Sequence, residues 1–230
     1  MVRSAQGSKA PVSPATPIQP PALDQQLFEV RSLFPTPFIY APLMDPGALN
    51  AALRQIITDR AASELGVNVS NAGGWQSADD FAEWSGEPGR LLLDLARRLG
   101  DSVTGVMVDR QLHLGSAAWK INAWANVNQA GHANRRHHHP GAYWSGVYWV
   151  SHDPDDTGGL FEAYDPRGVA PTLYAPHLRH ALPGCLSAGS TDYITPRAGV
   201  IALFPAWLQH AVLPHASEDP RISVAFNLCI

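Results

Sequence analysis

Apolar and polar positions fall into three successive regimes along the chain. Residues 1–26 hold almost no aromatic side chains, and five prolines sit within PVSPATPIQPP (Pro11–Pro21) among Ser, Ala and Gln. Such a composition cannot bury enough apolar surface to offset its ordering entropy, so a flexible or extended arm is expected there. A single globular domain is expected over 27–230. It opens with LFEVRSLFPTPFIY, a β-branched and aromatic run that predicts a strand bent at Pro35 and Pro37. Helical period follows. Asp45-Pro46 is a start signal, with Asp as cap and Pro in the first helical position. Leu49, Leu53, Ile56 and Ile57 then recur as one helix face, predicting a helix over about 46–59. Residues 63–78 are loop-like, with Gly73-Gly74 as a breaker and Trp75 as an anchor. A second helix is predicted over about 88–104, with Leu91, Leu92, Leu95, Ala96 and Leu99 on its apolar face.

The third regime is β. SAAWKINAWANVN alternates in part, with Trp119, Ile121, Ala123 and Ala125 on one side. YWSGVYWVS, GGLFEAYD, GVIALFPAW, QHAVLPH and RISVAFNLCI follow, each rich in Val, Ile, Phe, Tyr or Trp and bounded by Gly, Pro, Asp or Asn. Short strands at this density predict a sandwich or jelly roll rather than a parallel sheet interleaved with helices. The fold class is α+β, two helices first and a β-rich second half.

Composition narrows the function classes. At 230 residues and 45% hydrophobic, the chain is long enough to build one substantial core. A formal charge of -4 excludes the basic field that general nucleic-acid or anionic-membrane binding needs. No apolar run is long enough to span a bilayer, and the N-terminus lacks the apolar stretch of a secretory signal, so a cytoplasmic protein is expected. With 16% charged residues the surface is lean, which suits a homodimer.

Ten histidines are the unusual feature, and His132, His137, His138 and His139 crowd into GHANRRHHHPGAYWSG. On a strand, His137 and His139 would share a face and His138 would take the other, making a two-imidazole clamp for Zn, Cu, Fe or Ni. A solvated histidine cluster on a loop is the competing explanation. A third candidate is His210 in LFPAWLQHAVLPH, between apolar segments where an unpaired imidazole is costly, although a backbone carbonyl would satisfy it as well. Arg221 opens the alternating strand RISVAFNL, where a guanidinium needs a carboxylate partner or an anionic ligand. A structural ion pair with an Asp or Glu is the alternative. Asp153, Asp155 and Asp156 lie in SHDPDDTGG and read as turn residues; Glu162 fits the pocket and the solvent face equally.

The succession H-x-H, a distant His and then Arg, within short strands, resembles the iron(II)/2-oxoglutarate-dependent oxygenases, and within them a 2OG-Fe(II) oxygenase family of bacterial and phage proteins. LFPTPF (Leu33–Phe38), SNAGGWQS (Ser70–Ser77), HHHPGAYWSGVYWV (His137–Val150), GGLFEAYDPR (Gly158–Arg167), GVIALFPAWLQHAVLPH (Gly199–His215) and RISVAFN (Arg221–Asn227) carry the resemblance. It implies a double-stranded β-helix, the jelly roll, with Fe(II) at its open end and 2-oxoglutarate beside it. It implies His137 and His210 as metal ligands, with His139 where most of the superfamily has an acid. Three neutral ligands leave iron more net charge than a carboxylate triad would. Arg221 would take the distal carboxylate of 2-oxoglutarate. Asn126, Asn128, Asn134, Ser145 and Tyr148 would offer polar groups to the pocket, the asparagines being equally explained by turns. Trp119, Trp124, Trp144, Trp149 and Trp207 read as core or rim. The implied reaction hydroxylates a C–H bond of a small molecule, amino acid or peptide. A three-histidine cupin-like dioxygenase without 2-oxoglutarate, and a non-catalytic metal- or ligand-binding jelly roll, are the competing readings.

Overall fold

The alternation in the second half becomes two antiparallel sheets facing each other. The computed structural model describes residues 26, 29, 31, 33–115, 117–168, 175–178, 180–181 and 191–230. The expected arm, Gln26 apart, lies outside the described residues. By its contacts the chain divides into Met1–Pro35 and Thr36–Ile230, and the sheets belong to the second unit. In chain order the elements are β1 (Ile39–Pro42), α1 (Gly47–Ser63), β2 (Asn71–Ala72), β3 (Trp75–Gln76), α2 (Phe81–Trp84), α3 (Gly86–Ser102), β4 (Gly105–Val108), β5 (Gln111–Leu114), β6 (Lys120–Asn128), β7 (Ala133–His137), β8 (Trp144–Ser151), β9 (Phe161–Tyr164), β10 (Thr191–Ile194), β11 (Val200–Pro205), β12 (His210–Val212) and β13 (Arg221–Cys229). Among the described residues one sheet runs β1-β11-β8-β13-β6-β3 and the other β10-β9-β12-β7-β2.

Strand alternation gives the larger sheet two different faces. Tyr148, Val150, Ile201, Leu203, Val224, Phe226 and Leu228 pack with Leu53, Ile57, Leu92 and Ala96 of the helices. The opposite parity, Trp149, Val200, Ala202 and Phe204, packs with Phe161 of the smaller sheet. Between the sheets, polar and histidine side chains replace apolar ones at one end, and the cleft described below opens there.

Local departures from the expectations have local causes. Among the described residues of the strand expected from residue 27, pairing is found at Ile39–Pro42, with Ile39 opposite Leu203 and beyond the prolines at 35 and 37, which cannot donate to a ladder. The helix expected at Asp45-Pro46 begins one residue later with Pro46 as the cap; Asp45 has φ 48, a left-handed conformation, and no side-chain cap bond forms. The face of α3 buries Leu92, Leu93 and Ala96, whereas Leu91 is 53% exposed. The 63–78 stretch contains the short strands β2 and β3, and β4–β5 form a hairpin with exposed Met107, Leu112 and Leu114 that the sequence did not predict. No helix among the described residues is long and apolar enough to cross a membrane.

Candidate active site

His137 ends β7 and His210 opens β12, and these strands pair with His210 directly opposite His137. The HHH stretch is not a strand: β7 stops at His137, and His139 lies in the turn beyond it. Its backbone N–H donates to Ala206 O at 2.9 Å, which swings its ring back to the other two. Ring centroids stand 4.4 Å apart for His137 and His210, 5.0 Å for His137 and His139, and 5.2 Å for His139 and His210. His138 is exposed, as expected.

The hydrogen bonds of the rings leave their inner nitrogens available. His137 Nδ1 donates to Arg135 O at 2.6 Å and His210 Nδ1 to Leu208 O at 2.9 Å, fixing tautomers with a bare Nε2 lone pair. Nε2 of His139 and Nε2 of His210 are 3.4 Å apart. Burial favours the uncharged rings: it pushes His139 down to about 4 and His210 down to about 3, the neighbouring imidazoles adding to the effect, and it also lowers His137. One nitrogen from each ring lies within 4.8 Å of the others, a donor set that fits an imidazole-accepting ion such as iron.

Arg221, first in β13, is 2% exposed and lines the same cleft. Nη1 donates to Gly159 O at 3.0 Å, and Nε has no hydrogen-bond partner among the described residues. Burial lowers the guanidinium to about 10, with Asp156 opposing, so it stays charged at neutral pH. A buried cation with an unpaired nitrogen fits an anionic ligand. Asn126, also buried in the cleft wall, has an unpartnered Oδ1. Asn134 reaches the wall as well, but Asn128 does not. Ser145 lines the cleft with its hydroxyl donated to Asn227 Oδ1 at 2.9 Å.

Tyr148 is a correction. It lies three residues after Ser145 on β8, so the pleat turns it to the helix face, where its hydroxyl donates to Asn50 Oδ1 of α1 at 2.5 Å. Burial raises it to about 12, and it does not line the cleft. Among the tryptophans, Trp124 and Trp149 form cleft walls, Trp119 and Trp144 are core, and Trp207 is 53% exposed. Glu162 stands outside the cleft and accepts from the Tyr164 and Tyr193 hydroxyls.

Sequence reasoning missed one constellation. Asp156 is no solvated turn residue: it is buried with His152 and His215, its Oδ2 2.6 Å from His215 Nδ1 and 4.0 Å from His152 Nδ1. The turn-forming character of SHDPDDTGG hid it, and its partner His215 lies far along the chain.

Residues 122–227 match the family described as "Putative 2OG-Fe(II) oxygenase". Over this segment, just under half of its length, the chain resembles the 2OG-Fe(II) oxygenases. The family's cofactors are iron(II) and 2-oxoglutarate, and the match favours the 2-oxoglutarate reading over the cupin-like and non-catalytic alternatives. Similar solved structures include a prolyl-4-hydroxylase from Pseudomonas putida, at 15% identity and TM-score 0.56, covering 84% of this chain and 92% of that one. A prolyl hydroxylase from Trichoplax adhaerens, solved with a hypoxia-inducible-factor peptide, gives 14% identity and TM-score 0.57 over 84% and 83%. HygX from Streptomyces hygroscopicus, solved with nickel, 2-oxoglutarate and hygromycin B, gives 16% and 0.54 over 84% and 83%. At these identities the likeness carries the jelly-roll fold alone. No curated protein matches the sequence.

Proposed function

We propose that this oxygenase holds its iron(II) with His137, His139 and His210, binds the distal carboxylate of 2-oxoglutarate with Arg221, and hydroxylates a C–H bond of a small-molecule, amino-acid or peptide substrate. The observation that carries this reading is that three neutral imidazoles converge in the same cleft as a buried, incompletely bonded guanidinium. When bound, iron(II) supplies oxygen activation coupled to oxidative decarboxylation of 2-oxoglutarate to succinate and carbon dioxide. The chain's own residues position and shield. Arg135 O and Leu208 O aim the His137 and His210 rings by accepting their Nδ1–H groups. Trp124, whose ring centroid is 5.7 Å from that of His139, walls one side of the cleft, and Phe161 and Phe204 flank His210 at 5.0 and 4.8 Å. These apolar surfaces keep water from the reacting end. Asn126 Oδ1 is free to accept from a bound water or substrate donor, and Ser145 keeps only its acceptor capacity. The neighbours' bound ligands, a peptide in one case and hygromycin B in another, support a substrate range open to both classes.

Replacing Arg221 with Leu tests the assignment. Metal binding is expected to persist while 2-oxoglutarate affinity falls, since truncating a residue that pairs a buried carboxylate costs about 2–5 kcal/mol, or roughly thirty- to several-thousand-fold. Anaerobic titration of 2-oxoglutarate into the iron-loaded protein, followed through its charge-transfer absorption, reads this directly. Parental affinity in the variant would overturn the role.

A further inference from the structure

Behind Arg221 lies a buried group that the proposed chemistry leaves unused. His152 follows β8, Asp156 sits in the turn before β9, and His215 follows β12; their side chains are 2%, 0% and 0% exposed. Asp156 is pinned by backbone, its Oδ1 accepting the N–H of Gly158 at 2.8 Å and of Ala216 at 3.1 Å. Its Oδ2 faces His215 Nδ1 at 2.6 Å, and His215 Nε2 stands 2.6 Å from Asp219 O. Both nitrogens of His215 therefore face oxygens, one the Asp156 carboxylate and the other a backbone carbonyl. Asp156 and His215 thus form a close, fully buried carboxylate–imidazole pair.

Gly159 joins this pair to Arg221. It accepts the Arg221 Nη1 hydrogen bond and donates its own N–H to Pro214 O at 2.8 Å, beside His215. A Cβ at Gly159 would stand 3.2 Å from Asp156 Oδ2, 3.3 Å from Arg221 Nη1 and 3.5 Å from His152 Cε1, and its φ of +64 also favours glycine. The guanidinium, the carboxylate and the His152 ring thus close around one missing side chain.

We infer that Asp156, paired with His215, is a positioning residue for Arg221 and so sets the affinity for the distal carboxylate of 2-oxoglutarate. This rests on the reading of Arg221 given above. A guanidinium on a long stem with one neutral hydrogen bond needs a second constraint to hold its fork toward a ligand, and the fixed carboxylate of Asp156 supplies it. His215, 2.6 Å from the same carboxylate, braces it. His152, Asp156 and His215 also lie within 4.8 Å of one another as cation donors. The guanidinium in the same cage repels a metal ion, however.

The test uses full-length, Mn(II)-loaded protein under anaerobic conditions and two ligands, 2-oxoglutarate and 2-oxobutyrate, which shares the oxoacid end but lacks the distal carboxylate. Asp156→Asn keeps the shape of the side chain and removes its charge. Calorimetry is expected to show 2-oxoglutarate binding weakened about 10- to 100-fold, the range typical of lost orienting partners, with 2-oxobutyrate unchanged. His215→Gln, which leaves Asp156 in place, is expected to shift the same ratio and serves if Asp156→Asn does not fold. Equal weakening of both ligands would reveal only structural damage and overturn the inference. A second equivalent of Mn(II) that disappears in Asp156→Asn would overturn it in favour of a cation site. If Arg221→Leu loses 2-oxoglutarate while both variants keep it, this inference alone fails; if Arg221→Leu keeps it, the reading beneath fails.

Discussion

An imidazole that has given one hydrogen to a backbone carbonyl has a single lone pair left, and its direction is fixed. His137 and His210 are prepared in this way, through Arg135 O and Leu208 O, whereas His139 is aimed by its backbone bond to Ala206. Three neutral donors confer no charge compensation on a divalent ion, so each ligand matters more than it would beside a carboxylate. His210→Gln is therefore expected to weaken Mn(II) or Fe(II) binding by more than about 100-fold, beyond the loss typical of orienting partners. His138→Gln, at the exposed middle of the triplet, should bind metal as the parent does. Calorimetric metal titration of the two variants separates them, and equal affinities would remove His210 from the ligand set. The histidines were legible in the sequence as residue types with nothing else to do. Their convergence, implied by the resemblance, holds in the structure, but not by the strand alternation argued for it, which assumed a strand through His139 where β7 ends before it.

At the level of single elements, β8 shows how far pattern reading reaches. The segment YWSGVYWVS announces a buried strand, but a run apolar at both parities does not reveal which faces the cleft and which the helices. Pairing with β11 and β13 decides it: Ser145, Val147 and Trp149 face the cleft, and Trp144, Tyr148 and Val150 face the helices. Tyr148 thus binds α1 to the sheet through Asn50. Tyr148→Phe is expected to cost about 1 kcal/mol, the net worth of one hydrogen bond, while 2-oxoglutarate affinity stays unchanged. Urea unfolding and the same anaerobic titration check both halves, and a variant with weakened 2-oxoglutarate binding would return Tyr148 to the pocket. Arg221 was legible for the opposite reason: it is a charge at the head of an otherwise apolar alternation.

Across the whole molecule, the features hidden from the sequence are those that join distant turns. Asp156 looked like punctuation because Asp, Pro and Gly around it are turn residues, and only the fold brings it to His215 and Arg221. Such burial of ionisable groups has a global consequence for the metal-free protein. Burial lowers the pKa of His137, His139, His152 and His210, with His139 at about 4 and His210 at about 3, while the unfolded chain titrates near 6.5. Between those limits the unfolded state binds more protons than the folded one, so stability rises with pH. The full contribution is present above about pH 6.5 and is lost as pH falls below it, at up to about 1.4 kcal/mol per pH unit for each group. The carboxylates with lowered values, Asp153 and Asp156, act only nearer the ordinary carboxylate range and leave this window to the histidines. In EDTA, urea midpoints are expected to fall between pH 7.5 and 5.5 by the equivalent of about 2–3 kcal/mol from His139 and His210 together. The double variant H139Q/H210Q should lose most of that slope. Excess Mn(II) should raise the midpoint at pH 7.5 and progressively less toward pH 5.5, because protons and metal compete for the same lone pairs. A parental midpoint flat across the window would mean that the imidazoles are hydrated in the folded chain, and the enclosed three-histidine cleft would be wrong.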